Sequence, residues 1–303
     1  MTRQGTYCIA IGRATGEVDQ DFAAIAIGIS AGRYNAQGNS AVAIGHNAGN
    51  NNQGNYAVAL GTHSATNDQS DGAVSIGDSA GRYSQAYAGV GVGRFAGHSN
   101  QHSSATALGN SSGYSWQKQQ AVAIGHQGGC YNQNEYSVAI GAYSGWSNQG
   151  FKATALGVEA AKNTQGQYTV AVGNSAGRDN QGEGSIAIGN AAGLDYQGTD
   201  CIAIGRNAGR LNDQGSQAVA IGFEAGYDNQ GAYSVAIGNN AGKNTQAANS
   251  IVLNAQSGIA LDATSTGFFV KPIRDVVSAN KLLYNNTTGE ITYQPDSGGD
   301  STE

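Results

Sequence analysis

A short repeat covers more than four fifths of the 303-residue chain and restricts its fold more than any other feature. In each copy a glycine follows a run of alternating small and aliphatic residues, as in residues 41–45 (AVAIG). Fifteen such glycines are separated by twelve intervals of 16 residues and two of 17, and a sixteenth, degenerate copy ends at Asn254. A period in this range indicates an array of stacked units rather than one globular core.

The alternation within each copy predicts a short β-strand. We number positions from the marker glycine, which is position 0. Position −1 is Ile, Leu or Val, position −3 is Val, Ile or Thr, and positions −4 and −2 are small. Strict alternation of this kind is typical of a strand with two different faces. Position +4 is Gly in thirteen copies and Ala in two, and we expect both glycine columns to form corners.

A glutamine stands at +8 in every 16-residue copy and at +9 in the two 17-residue copies. Because the extra residue falls between +4 and this Gln, we expect that stretch to be an exposed loop. Equivalent residues of stacked coils lie above one another, so the glutamines are expected to form an amide ladder. The structural repeat is represented by Gly45, Gln53, Gly61, Gln69, Gly125, Gln133, Gly189 and Gln197.

Sixteen residues with one strand and two corners suffice for one coil of an all-β, parallel β-solenoid of about 15–16 coils, roughly 70–75 Å long. Two aliphatic residues per coil, at −3 and −1, form a thin core. The small face at −4 and −2 is expected to pack against other copies of the chain around a symmetry axis. The composition leaves the number of copies open.

The unit with the core Val-Ala-Ile-Gly, repeated in tandem over about residues 5–254, resembles the head repeats of YadA-like trimeric adhesins. The resemblance implies a left-handed parallel β-roll in which three chains are intertwined or packed as a homotrimer. Residues 267–274 and 282–293 resemble the segment ahead of the self-cleaving intramolecular chaperone of phage and viral tail fibres. We therefore divide the chain into a repeat domain (1–254), a C-terminal non-repeat β segment (255–293) and a disordered tail (294–303).

Residues that could carry chemistry are scattered along the repeat. The carboxylate pairs Asp179/Glu183 and Asp195/Asp200 lack a third supporting group, so we expect no catalytic site and no enzyme activity. The spacing of the histidines and of the three cysteines fits no metal site, and no cofactor site is expected. The net charge of −6 disfavours nucleic-acid binding, and the absence of a long apolar run disfavours membrane insertion.

Aromatic residues between +5 and +7 are the candidate receptor contacts, because exposed rings among Asn, Gln and Ser suit sugar faces and protein receptors. The alternative is that they stack as columns supporting the loops. These residues are Tyr34, Tyr83, Trp116, Tyr131, Trp146 and Tyr196.

The leading functional hypothesis is a structural, receptor-binding trimeric fibre of a phage or virus. It would lie on the virion, contact other tail proteins and bind a glycan or protein on the host cell surface. The first alternative is a bacterial trimeric autotransporter-type adhesin head at the cell surface, and the second is a polysaccharide depolymerase. An ice-binding solenoid is disfavoured because Thr62, Thr106 and Thr154 do not share one column.

Overall fold

The computed structural model describes residues 4–273 and 280–295, which form strands and turns with no helix. The chain divides into two units, Met1–Lys271 and Pro272–Glu303. The first unit confirms the predicted all-β parallel solenoid with coils of about 16 residues. Each coil forms backbone hydrogen bonds with the next, as from Val58 N to Ala73 O (2.9 Å).

The predicted strand of each coil joins one parallel sheet of 17 strands. Equivalent residues pair in register, so that Ala43 lies beside Ala59 and, across a 17-residue interval, Ile25 lies beside Val42. The strands are β1 (Ile9–Ile11), β2 (Ile25–Ile27), β4 (Val42–Ile44), β6 (Val58–Leu60), β8 (Val74–Ile76), β10 (Val90–Val92), β12 (Thr106–Leu108), β14 (Val122–Ile124), β16 (Val138–Ile140), β18 (Thr154–Leu156), β20 (Val170–Val172), β22 (Ile186–Ile188), β23 (Ile202–Ile204), β24 (Val219–Ile221), β25 (Val235–Gly238), β27 (Ser250–Asn254) and β29 (Gly267–Lys271).

The stretch that ends at the Gln column forms a second parallel sheet, so the expectation of a plain exposed loop there was wrong. Its ten strands are β3 (Tyr34–Gln37), β5 (Asn51–Gln53), β7 (Asn67–Gln69), β9 (Tyr83–Gln85), β11 (Ser99–Gln101), β13 (Ser115–Gln117), β15 (Tyr131–Gln133), β17 (Ser147–Gln149), β19 (Asn163–Gln165) and β21 (Asp179–Gln181). The extra residue near Tyr34 is accommodated by a register shift between Tyr34 and Gln37.

The small residues at −4 and −2 line the inside of the coil, which overturns the expectation that they face other chains. Ala41, Ala43 and Ala48 are fully buried within the single chain, whereas Val42 and Ile44 point outward and are partly exposed. The coil is too narrow for larger residues: the Cβ of Ala43 lies 3.1 Å from the position that a Cβ on Gly49 would occupy. The predicted aliphatic core is therefore the outer surface, and the interior is lined mainly by alanine and by the glutamine column.

The glutamine ladder is confirmed, and these side chains are among the largest that are fully buried. The Nε2 of Gln53 lies 2.9 Å from Val42 O and 3.1 Å from Gln69 Oε1. Its Oε1 accepts from Gln37 Nε2 at 3.2 Å. Each amide from Gln20 onward spans the coil interior, and most also join neighbouring coils, so a polar side chain fills the space that aliphatic residues fill in other cores. The amide-to-amide bonds are interrupted at Gln133, Gln165, Gln197 and Gln214, whose Oε1 atoms have no partner among the described residues.

The marker glycines are required by backbone conformation and by close approach. Gly45 has φ +135°, and a Cβ on it would lie 2.5 Å from the carbonyl oxygen of Gly61 in the next coil. Such a φ is essentially confined to glycine, and the approach excludes any side chain. The column at position 0 therefore allows the coils to stack.

The solenoid unit continues past the last repeat copy at residue 254. Strand β29 pairs in register with β27, and β26 (Ala241–Gln246) pairs with β28 (Leu261–Ala263), so residues 255–271 complete the first unit. The second unit contains a hairpin of β30 (Asn280–Tyr284) and β31 (Ile291–Pro295). The tail boundary predicted at residue 294 falls inside β31, and residues 296–303, like 274–279, lie outside the described residues.

Candidate functional site

An outward-facing stripe of aliphatic side chains follows the 17-stranded sheet. We define this aliphatic stripe as positions −3 and −1 of every copy, continued by Ile251, Leu253, Phe268 and Val270. Within it Leu60 is 40% exposed and Leu156 is 43% exposed. Seventeen strands at about 4.8 Å spacing span about 75 Å, and a width of about 10 Å gives roughly 700 Å² of apolar surface. This exceeds the largest apolar patch of most monomers, about 300–600 Å².

A second surface consists of aromatic side chains that touch one another across successive coils. We define this aromatic strip as Tyr83, Phe95, His98, Tyr114, Tyr131 and Trp146. The rings of His98 and Tyr114 stack at 4.7 Å with an interplanar angle of 5°, and Tyr131 meets Trp146 edge-on at 5.4 Å. Tyr83 meets His98 at 5.3 Å. Three of the predicted receptor contacts, Tyr83, Tyr131 and Trp146, thus belong to one continuous strip.

The other three predicted contacts stand apart. Tyr34, Trp116 and Tyr196 are each about half-exposed and contact no other aromatic ring among the described residues. The Arg33 guanidinium covers the Tyr34 ring at 4.5 Å. The candidate contacts therefore do not converge on one site, and their role as receptor contacts stays a prediction.

The sequence interpretation missed Phe95, His98 and Tyr114 as members of the strip. His98 is 9% exposed, and its Nδ1 lies 2.9 Å from Ser99 Oγ. Burial, followed by the Arg82 charge, lowers the pKa of His98 below its ordinary value. The signal that could have revealed the strip is an aromatic residue or His at +5 or +6 in five consecutive copies.

No group of three or more His, Cys, Asp or Glu side chains that could hold a metal ion occurs in the described part of the chain. The Asp179 carboxylate is held by the guanidinium of Arg178 at 2.6 Å and by Nδ2 of Asn163 at 2.6 Å. Burial raises the pKa of the Cys130 thiol to about 11, so it is un-ionised at neutral pH.

The described residues contain no helix long and apolar enough to cross a membrane. The family model for the YadA head domain repeat matches two copies within residues 230–241. No curated protein and no solved structure matches the chain. The matched segment contains Val235-Ala236-Ile237-Gly238, the strand and marker glycine of one coil. The solenoid therefore carries repeats similar to those of YadA-type adhesin heads.

Proposed function

We propose that three copies of this chain assemble through the aliphatic stripe into an adhesin-like fibre that attaches to a cell surface. The observation that carries the proposal is the continuous apolar stripe, which a single chain leaves facing solvent. About 700 Å² per chain approaches the roughly 800 Å² per partner of a standard stable interface. Three copies, rather than two, are supported by the similarity to YadA head repeats.

The assembly is tested by measuring the mass of the protein in solution. Sedimentation equilibrium is expected to give about three times the chain mass of 30.7 kDa. Replacing Ile124 and Ile140 together by Glu places six carboxylates in the assembled stripe, so the trimer is expected to dissociate. The matched control places Glu at Asn132 and Asn148, which are exposed on the second sheet, and is expected to remain trimeric. A stripe variant that remains trimeric, with unchanged circular dichroism, would refute the proposed interface.

Attachment of the fibre to a cell is expected because the trimer presents each exposed surface three times. Three weak contacts on one rigid fibre act together, because the first contact raises the effective concentration of the others. Fluorescently labelled trimer is expected to bind its target cells far more tightly than the dissociated stripe variant. Equal binding by both forms would contradict the multivalent mechanism.

We further infer that the fibre belongs to a phage or virus, with a bacterial surface adhesin as the alternative. The resemblance of the C-terminal segment to tail fibres supports this inference. In the second unit the hairpin exposes Leu282 (76%) and Tyr293 (74%), and an isolated two-stranded hairpin is at best marginally stable. Association with partner chains would cover these residues. Immunogold electron microscopy is expected to label virion tails, and labelling of bacterial envelopes instead would select the alternative.

A further inference from the structure

A surface cleft of about 400 Å³ opens where three consecutive coils meet. Its volume lies within the range of small-molecule sites. The cleft is lined by residues from positions +7 to +10 of the coils marked by Gly45, Gly61 and Gly77. None of these residues belongs to the aliphatic stripe or the aromatic strip. They include Asn52, Gly54, Asp68, Ser70, Asp71 and Tyr87.

The cleft forms where a column of capping side chains ends. Asn55 Oδ1 accepts from the main-chain N–H of Asn39 at 2.9 Å, and Asp71 Oδ1 accepts from the N–H of Asn55 at 2.8 Å. The next residue of the column is Tyr87, whose side chain offers no such acceptor. The N–H of Asp71 consequently makes no hydrogen bond to the described part of the chain. The interruption leaves a free main-chain donor at the cleft.

The polar groups around the cleft are held in place by their neighbours. Nδ2 of Asn55 lies 3.3 Å from Asp71 Oδ2, which fixes that carboxylate. Nδ2 of Asn52 donates to Asp68 Oδ1 at 3.1 Å, and Asp68 Oδ2 has no partner among the described residues. A Cβ on Gly54 would lie 2.6 Å from Asp71 Oδ1, so the glycine is needed for this arrangement.

The apolar element of the cleft is the ring of Tyr87. It is 64% exposed, and it contacts no other aromatic ring among the described residues. The cleft therefore combines carboxylate oxygens that accept hydrogen bonds from hydroxyl groups, a main-chain N–H donor and an exposed aromatic face. Carboxylates accept from adjacent hydroxyl groups, and an aromatic ring packs against the C–H face of a pyranose.

We propose that this cleft binds a neutral sugar residue of a cell-surface glycan. The proposal rests on the proposed attachment function and names its receptor class. Hydroxyl groups of the sugar donate to Asp68 and Asp71, the Asp71 N–H donates to a sugar oxygen, and Tyr87 covers the apolar ring face. Acidic sugars are rejected because two carboxylates line the cleft.

The test uses the full chain in its native assembly and immobilised oligosaccharides ending in glucose, galactose or mannose, with a sialylated oligosaccharide as the acidic comparison. Tyr87→Ala and Asp71→Asn are each expected to weaken neutral-glycan binding by about 10-fold or more, which corresponds to about 1.4 kcal/mol. Tyr233→Ala, at a tyrosine that is 61% exposed and lies outside the cleft, is the matched control and is expected to leave binding unchanged. Circular dichroism confirms that each variant is folded.

Three results would overturn the proposal: no binding to any neutral oligosaccharide at about 10 mM, binding unaffected by both cleft variants, or loss of binding in the Tyr233→Ala control alone. Mass and cell binding are measured on the same samples. A trimer that binds cells but no neutral glycan refutes the cleft assignment and leaves the attachment function intact. A chain that neither assembles nor binds cells, yet binds sugar through Tyr87, refutes the attachment function and leaves the cleft assignment intact.

Discussion

The Gln column offers the sharpest test of the solenoid interior, because Gln117 and Gln119 lie two residues apart in very different surroundings. Gln117 is fully buried: Nε2 donates to Thr106 O at 2.8 Å and to Ala121 O at 3.1 Å. Its Oε1 accepts from Gln101 Nε2 at 3.0 Å. Gln119 is exposed. Substitution of either residue by Leu makes the same chemical change.

The structure sets the expected magnitude for Gln117→Leu. Three hydrogen bonds are lost, each with a net contribution of about 1 kcal/mol, so the free energy of unfolding should fall by about 3 kcal/mol per chain. The exposed control, Gln119→Leu, should stay within about 0.5 kcal/mol of wild type. Each 1.4 kcal/mol corresponds to a factor of ten in an equilibrium constant. The loss of about 3 kcal/mol should therefore make local opening of the substituted coil about 100-fold more frequent.

Two measurements check this prediction. Denaturant unfolding followed by circular dichroism compares the free energies of unfolding of the two variants. Hydrogen exchange with mass spectrometry reports opening of β13 and β14, which is the more direct measure because a repeat array need not unfold as one unit. Equal unfolding free energies together with equal exchange rates in β13 and β14 would show that the buried amide ladder does not stabilise the coil.

Further substitutions test other parts of the architecture. Gly61→Ala (φ +126°, with a Cβ 2.7 Å from Gly77 O) should lower the unfolding free energy by about 3 kcal/mol or more. The control Gly72→Ala (φ +64°, with open space around it) should lower the unfolding free energy by about 1 kcal/mol. Equal urea midpoints for the Gly61→Ala and Gly72→Ala variants would contradict the close-approach argument. Ala123→Glu puts a carboxylate in the fully buried interior and should unfold the surrounding coils, which reduces the β-type circular dichroism signal; an unchanged spectrum would contradict the assignment of this face to the interior. Burial lowers the pKa of His98, so the unfolded chain takes up the proton first and stability should fall as pH drops below about 6.5. His98→Phe should reduce that fall in a pH series of urea midpoints, and an unchanged fall would contradict the role of His98.

The strict repeat made the solenoid architecture predictable from the sequence. The predictions failed where one sequence pattern is compatible with two different structures. Gln53 could be placed in a ladder because equivalent residues must stack once the coils are parallel. The stretch around Asn51 was expected to be a loop because the two 17-residue copies carry their extra residue there, yet the structure accommodates such a residue by a register shift within a strand. Tyr87 drew no attention at all, since its importance arises from interrupting the Asn55–Asp71 column across coils.

The receptor-contact hypothesis illustrates the same limit. Exposure of Trp116 and Tyr196 could be anticipated from their polar neighbours. The contacts that join Tyr83 to Trp146 depend on side-chain directions at +5 and +6, which spacing along the chain does not specify. The strip became visible only when the coils were stacked.

The amino-acid sequence by itself determined the coil length, the strand at positions −4 to −1, the glycine corners and the parallel stacking, because each follows from a strict repeat. Only the tertiary structure decided which face of that strand is inside. Alternation with a period of two distinguishes two faces but assigns neither of them to the core. The narrowness of a 16-residue coil makes the assignment: Ala and Gln fit inside, and Val and Ile are left on the surface, where a second chain can cover them.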